Sequence, residues 1–304
     1  MAPPDETRPG HRFVLDVGMP QEPNALVDYV TEYADFLRRE AHVDDEIPVP
    51  LDAILDHFGV QRHELKIDGD RQGLKFSMGK LSYQVVFTEA SDKPERRRFS
   101  LGHELIELLF EALHQGRLST RMEEGCSGFR KERLCETGAA ALLMPRQSFQ
   151  RALKERPIGF DTASDLATVF DVSFLASLIR MVELAEKRHL LIAWRPKLKP
   201  TQKRRHTDNQ LALSFEGDIG PQKRLRVEWP RWTEKPYGWH VPRDKSVPED
   251  SIIHRAWTQQ QQLSSKERLH LSSSFDGVFE IEALPVQMGG ERWALSLLDV
   301  SCIH

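Results

Sequence analysis

The period of the apolar positions changes several times along the chain, and each change marks an element. From Asn24, the residues Leu26, Val27, Val30, Tyr33, Ala34 and Leu37 recur at intervals of three and four, which places them on one face of a helix. Pro48-Val-Pro interrupts this spacing. Leu51, Ile54, Leu55 and Phe58 resume it in a second, shorter helix, with Gly59 placed to cap its C-terminus. The period then falls to two: Gly73–Met78 and part of Leu81–Phe87 alternate apolar and polar residues around Gly79-Lys80, which predicts a hairpin or meander. Helical spacing returns from Phe99 to about His114 and again over about 129–144, where Pro145 stops it. A short helix is expected from Gln147 to Glu155, and two more between Asp161 and Lys187.

The last third reads differently. Leu190–Trp194 is a short apolar run expected to close a first domain. Six Arg and Lys residues then crowd into 195–205 with two prolines, as in a tether. Beyond about 209 the pattern is mainly β: Leu211, Leu213 and Phe215 alternate, as do Leu225, Val227 and Trp229. One helix is predicted near Ser251–Gln261. Val278–Leu284 and Trp293–Leu298 flank Gly289-Gly290 as a closing hairpin. The expected organisation is a flexible leader over 1–22, a first domain over 23–195, a basic linker over 196–208 and a β-rich domain over 209–304. The run Leu166–Arg180 has the outline of a helix-turn-helix. Its second helix offers only Arg180 to grip phosphates, so ordinary helical packing is the expectation.

Composition narrows the class. A length of 304 residues fits about two domains of ~150. With 46 acids against 42 bases the net charge is −4, so the chain is not built as a general nucleic-acid binder. No run approaches the ~18 apolar residues of a membrane helix, and the start Met1-Ala-Pro-Pro-Asp-Glu-Thr lacks the features of a secretion signal. Three cysteines (Cys126, Cys135 and Cys302) make neither a disulfide framework nor a CxxC pair. These features predict a cytoplasmic protein with no membrane partner.

The chemistry lies in Arg97-Arg-Phe-Ser-Leu-Gly-His103-Glu104-Leu-Ile-Glu107. On a helix, residues four apart differ by about 40° around the axis and rise about 6 Å, so His103 and Glu107 project from one face and can grip one ion. Paired histidines do this in H-E-x-x-H motifs, where the intervening glutamate takes a proton from the attacking water. Here the motif is H-E-x-x-E, which by itself also suits an amphipathic helix with a solvated acidic face. The second informative stretch is Glu132-Arg-Leu-Cys135-Glu136-Thr-Gly138-Ala-Ala-Ala-Leu-Leu-Met-Pro145. Its small residues allow close helix approach. Glu132 and Glu136 share a face, and either could complete a three-ligand site with a fourth position left to water. His114 would lie about 16 Å along the axis from His103 on a continuous helix, beyond reach of the same ion. Cys135 is expected in the core, and nothing marks Cys126 as reactive.

Taken together, the two segments resemble the ImmA/IrrE-type metallopeptidases, whose members read R-R-F-(S/T)-L-A-H-E-L-G-H and then E-x-x-A-N-x-F-A-A-x-L-L-M-P. The resemblance covers roughly residues 24–195, including the order of elements. It implies an α+β chain: a small zincin-like metallopeptidase domain of helices and a short sheet, followed by the β-rich C-terminal domain. It also implies a cytoplasmic endopeptidase that cleaves a regulator, often a helix-turn-helix repressor. Residue by residue, His103 falls on the first metal histidine, Glu104 on the general base and Glu132 on the downstream ligand; Glu136 stays open as an alternative ligand. Glu107 stands at the second histidine, Gly102 at an alanine, Glu136 at an asparagine and Gly138 at a phenylalanine.

The His-to-Glu exchange changes the charge. One histidine and two carboxylates around a divalent ion sum to zero, whereas two histidines and one carboxylate leave +1. The bound water should then be less acidic than the ~7 of good zinc sites, and oxygen ligands favour harder ions. The expected cofactor is one divalent metal, Zn2+ first and Mn2+ second. The expected function is a metal-dependent endopeptidase acting on a regulatory protein in a stress, mobile-element or toxin–antitoxin setting. The alternative is a catalytically degenerate peptidase fold used as a protein-interaction or sensor module.

Overall fold

A computed structural model describes residues 8–65, 85–89, 93–116, 120–199 and 223–301. The chain divides into two compact units, Met1–Lys154 with Ser164–Ser177, and Glu155–Ala163 with Leu178–His304.

The first unit is mainly helical. It contains α1 (Pro9–Val17), a 3-10 turn (Pro23–Ala25), α2 (Leu26–Glu40), α3 (Leu51–Phe58), α4 (Pro94–Gln115), α5 (Thr120–Gly125), α6 (Gly128–Leu143) and α7 (Arg146–Leu153). Two short strands, β1 (Gln61–Leu65) and β2 (Val85–Glu89), pair in parallel. Parallel strands are not the two arms of one hairpin. Most of the predicted hairpin, Gly73–Met78 with Leu81–Gln84, lies outside the described residues. The predicted helices at 26–37 and 51–58 are present as α2 and α3, and α3 ends at Gly59.

One expectation is overturned at the start of the chain. Residues 9–17, assigned to a flexible leader, form a helix that is packed rather than loose. Pro9 opens α1, and Phe13 is fully buried against Tyr29, Tyr33 and Phe36, with ring centroids 5.0, 5.2 and 5.3 Å away. The Pro, Gly and charge content suggested solvent. The aromatic pocket that receives Phe13 belongs to α2, and no local pattern reveals it.

Helices α8 (Phe160–Phe170) and α9 (Phe174–Leu184) fill the region of the apparent helix-turn-helix. Leu166, Phe170, Leu178 and Met181 are buried, and Arg180 faces Glu183 at 3.8 Å, in keeping with helical packing.

The second unit holds an antiparallel five-stranded sheet in the order β4-β3-β7-β6-β5. Its strands are β3 (His189–Lys197), β4 (Arg224–Trp232), β5 (Leu263–Ser272), β6 (Phe275–Met288) and β7 (Glu291–Asp299). Here the structure corrects two boundaries. The run Leu190–Trp194, expected to close the first domain, is the buried middle of β3 in the second unit, bonded to β4 on one side and β7 on the other. Arg195 and Lys197, read as part of the basic run, extend the same strand. Arg195 donates to Glu291 at 2.7 Å, and Lys197 lies 2.5 Å from Glu228 and 2.7 Å from Asp244. The rest of the predicted linker, from 200 on, and the alternation Leu211–Phe215 lie outside the described residues.

Helix α10 (Ile252–Gln259) presents Ile252, Ile253 and Ala256 to a core formed with Leu269, Phe275, Phe279 and Ile281. Ser251 caps it, its hydroxyl accepting from the Ile253 amide at 3.2 Å. The predicted closing hairpin is present between β6 and β7. Gly289 and Gly290 take φ of 56° and 75°, which the tight turn demands and side-chain-bearing residues resist. Four of the six tryptophans serve the core: Trp194 is fully buried and donates to the Ser296 hydroxyl at 2.8 Å, while Trp232, Trp239 and Trp257 pack against its edge.

Candidate metal centre

Two helices build the site. Helix α4 is continuous for 22 residues and buries Leu105, Ile106, Leu109 and Phe110 completely. Its first turns are held by Arg98, which donates to the Val49 carbonyl at 3.0 Å and the Asp171 carbonyl at 3.1 Å and pairs with the Asp171 carboxylate. Helix α6 is fixed at its other end by α2. The buried guanidinium of Arg38 donates to the Ala141 and Leu142 carbonyls at 3.0 and 3.4 Å, satisfying acceptors in the last turn of α6.

The helices run antiparallel. Gly102 on α4 faces Ala139 and Leu143, Ile106 faces Gly138, and Glu107 faces Lys131. The approach is tightest at Gly138, where a Cβ would sit 2.7 Å from Cγ2 of Ile106. A glycine is required there because any side chain would push the helices apart.

This crossing brings Glu132 of α6 up to three predicted residues that α4 already holds together. His103, Glu104 and Glu107 form a group in which one ligand atom of each lies within 4.8 Å of the others. The Nε2 of His103 is 3.4 Å from a carboxylate oxygen of Glu132 on α6, and its Nδ1 is 3.8 Å from Glu104. Glu136, one turn beyond Glu132, is exposed. His114 lies near the far end of the same unbroken helix and bonds the Phe110 carbonyl at 2.5 Å. Cys135 is buried in the core, and burial pushes the Cys126 thiol up to about 11, so neither is a ready nucleophile.

Burial acts to lower the pKa of His103, but the carboxylates of Glu104, Glu132 and Glu107 outweigh it and hold the imidazole above its ordinary value. The site is thus a negative well that attracts a cation. Its donor set suits a metal ion. Ligands about 2.0–2.2 Å from a tetrahedral ion lie about 3.3 Å apart, close to the separation of His103 and Glu132.

One residue escaped the sequence reading. The ammonium of Lys131 forms an ion pair with Glu107, and both side chains are mostly buried, at 16% and 8% exposure. A carboxylate on the apolar side of α4 signals that some cation must meet it, because an isolated buried charge is costly. Which base on α6 would do so depends on the helix crossing.

Comparison with known proteins bears on the segment that carries the site. Residues 56–181 match the family model of the IrrE N-terminal-like domain, Peptidase_M78. This segment contains both site helices and is similar to the ImmA/IrrE-type metallopeptidase domain. A Mycobacterium tuberculosis transcriptional regulator is similar over 97% of this chain and 80% of its own, with a TM-score of 0.56 and 14% identity. At that identity the likeness is one of fold. Comparison with curated proteins finds no match. Among the described residues, no helix is long and apolar enough to cross a membrane.

Proposed function

We propose that this protein is a metal-dependent endopeptidase that cleaves a regulatory protein. The observation that carries the reading is the convergence of His103, Glu104 and Glu107 within 4.8 Å, beside Glu132 from a second helix. His103, Glu107 and Glu132 hold one divalent ion, Zn2+ in first place and Mn2+ in second. When bound, the ion supplies a Lewis acid that polarises the scissile carbonyl and acidifies water. Glu104 takes the proton of the attacking water and returns it to the leaving amine.

The substrate is a protein, with a helix-turn-helix repressor as the leading class, in a cytoplasmic stress, mobile-element or toxin–antitoxin setting. The Mycobacterium tuberculosis protein of similar fold is named a transcriptional regulator, which accords with a regulatory role. The second unit serves as a substrate or sensor module. With Arg195 and Lys197 engaged by acids within their own sheet, direct nucleic-acid binding is not part of this reading.

Glu104→Gln tests the assignment. Cells expressing the wild type should generate new protein N-termini that are missing with the variant, while both purified proteins retain about one equivalent of metal by mass spectrometry. Equal cleavage by the variant would remove Glu104 from the mechanism. Glu107→Ala should lose the metal. The second reading, a degenerate fold used for interaction or sensing, is favoured by Glu107 standing at the second histidine and being paired with Lys131. A wild type that stays empty after dialysis against Zn2+ and Mn2+ would select it.

A further inference from the structure

Glu107 differs from a histidine ligand in two ways: it is charged, and it is buried. Its side chain is only 8% exposed, and Lys131 provides a cation that is itself 16% exposed. The Lys131 ammonium also lies 5.8 Å from the centroid of the Phe110 ring, whose face favours a positive charge. Lys131 directly precedes Glu132. One turn of α6 therefore sets a cation against Glu107 and an anion against His103.

The charges can be added. Neutral His103, Glu107, Glu132 and Lys131 sum to −1. Two neutral histidines and one carboxylate also sum to −1. A site with Lys131 in place around a divalent ion thus carries +1, the value the His-to-Glu exchange alone would abolish. Resting on the metallopeptidase reading above, we propose that Lys131 is a positioning residue that acts through Glu107 as a built-in counter-cation. It restores the charge of a two-histidine site, orients the Glu107 carboxylate, and weakens metal binding because two cations share one acid.

Coulomb repulsion between a resident ammonium and a divalent ion that would share the Glu107 carboxylate, in a partly buried site, should reduce affinity by an order of magnitude or more. Zn2+ affinity measured by competition with a chromogenic chelator tests this on the full chain. Lys131→Met should bind Zn2+ at least tenfold more tightly than wild type, and Lys131→Arg should stay within about threefold of it. Equal or weaker binding by a folded Lys131→Met overturns the proposal and leaves the metallopeptidase reading standing. Absence of Zn2+ and Mn2+ binding in all three proteins overturns both.

Should Lys131→Met fail to fold because Glu107 is left buried and unpaired, the comparison of Glu107→His with Glu107→His/Lys131→Met removes that charge and asks the same question. The double variant should bind Zn2+ at least tenfold more tightly than the single one. Equal affinities would show that the ammonium is not felt at the site.

Discussion

The contact of α4 with α6 makes one substitution, glycine to alanine, change sign between two neighbouring positions. At Gly138 the new Cβ would stand 2.7 Å from Cγ2, 2.9 Å from Cγ1 and 3.0 Å from Cδ1 of Ile106. Ile106 is fully buried and β-branched, so it cannot rotate aside cheaply. Overpacking of this kind costs about 1–3 kcal/mol, of which better helix propensity returns ~1 kcal/mol. The net is a loss of about 1 kcal/mol. At Gly102 the new Cβ would meet Ala139 Cβ at 3.6 Å and Leu143 at 3.7 Å, ordinary contact distances. Only the propensity gain remains, up to ~1 kcal/mol of stabilisation. The two variants should therefore differ by about 2 kcal/mol, or roughly 1 M in urea midpoint for a slope near 2 kcal/mol/M.

The assay can separate the units. All six tryptophans lie at position 194 or later, in the second unit. Helical circular dichroism follows mainly the first unit, and tryptophan fluorescence the second. The shifts should appear in the dichroism midpoint. Gly138→Ala should also weaken metal binding, because spreading the helices moves Glu132 away from His103. A Gly138→Ala protein as stable as wild type, with Gly102→Ala the weaker of the two, would refute the packing argument.

Other expectations follow from single sites. Phe13→Ala should cost about 3 kcal/mol or more in the dichroism transition, since it empties a fully buried aromatic position; a change under 1 kcal/mol would mean that α1 is not docked. Cys126 should escape iodoacetamide at pH 8 in the native protein and react once unfolded in urea, as read by peptide mapping, because its buried thiol is held at about 11. Burial raises the Glu183 pKa against the opposing pull of Arg180 and Arg231. The folded second unit therefore holds its proton to higher pH than the unfolded chain, and stability falls as pH rises from the ordinary glutamate range through the raised value. Glu183→Gln should flatten that fall in tryptophan-monitored unfolding, and an unchanged slope would contradict it.

Features set by local physics are legible in the sequence. The i, i+4 relation of His103 and Glu107 follows from helix geometry, and α4 runs unbroken through both. The small residues of 138–141 marked a close helix approach, and the structure puts the tightest point at Gly138. Gly289-Gly290 indicated a tight turn because few other residues adopt its backbone angles. Features that a partner distant in the chain decides are not legible there. Phe13 resembled a residue of a loose leader until the α2 aromatics were seen around it. The run 190–194 was legible only as apolar; a strand buried on both faces carries no label for its sheet, and its neighbours β4 and β7 lie more than 30 and 90 residues away.

What the sequence by itself determined are the helical periods, the turn glycines and the spacing of His103, Glu104 and Glu107, because each is set by backbone geometry over a few residues. The tertiary structure alone decided that Glu132 rather than Glu136 meets His103, and that Lys131 answers the charge of Glu107. Both depend on the angle and register at which α6 crosses α4. That crossing is the sum of many contacts, among them Gly138 against Ile106 and Arg38 at the end of α6, and no single stretch of sequence contains it.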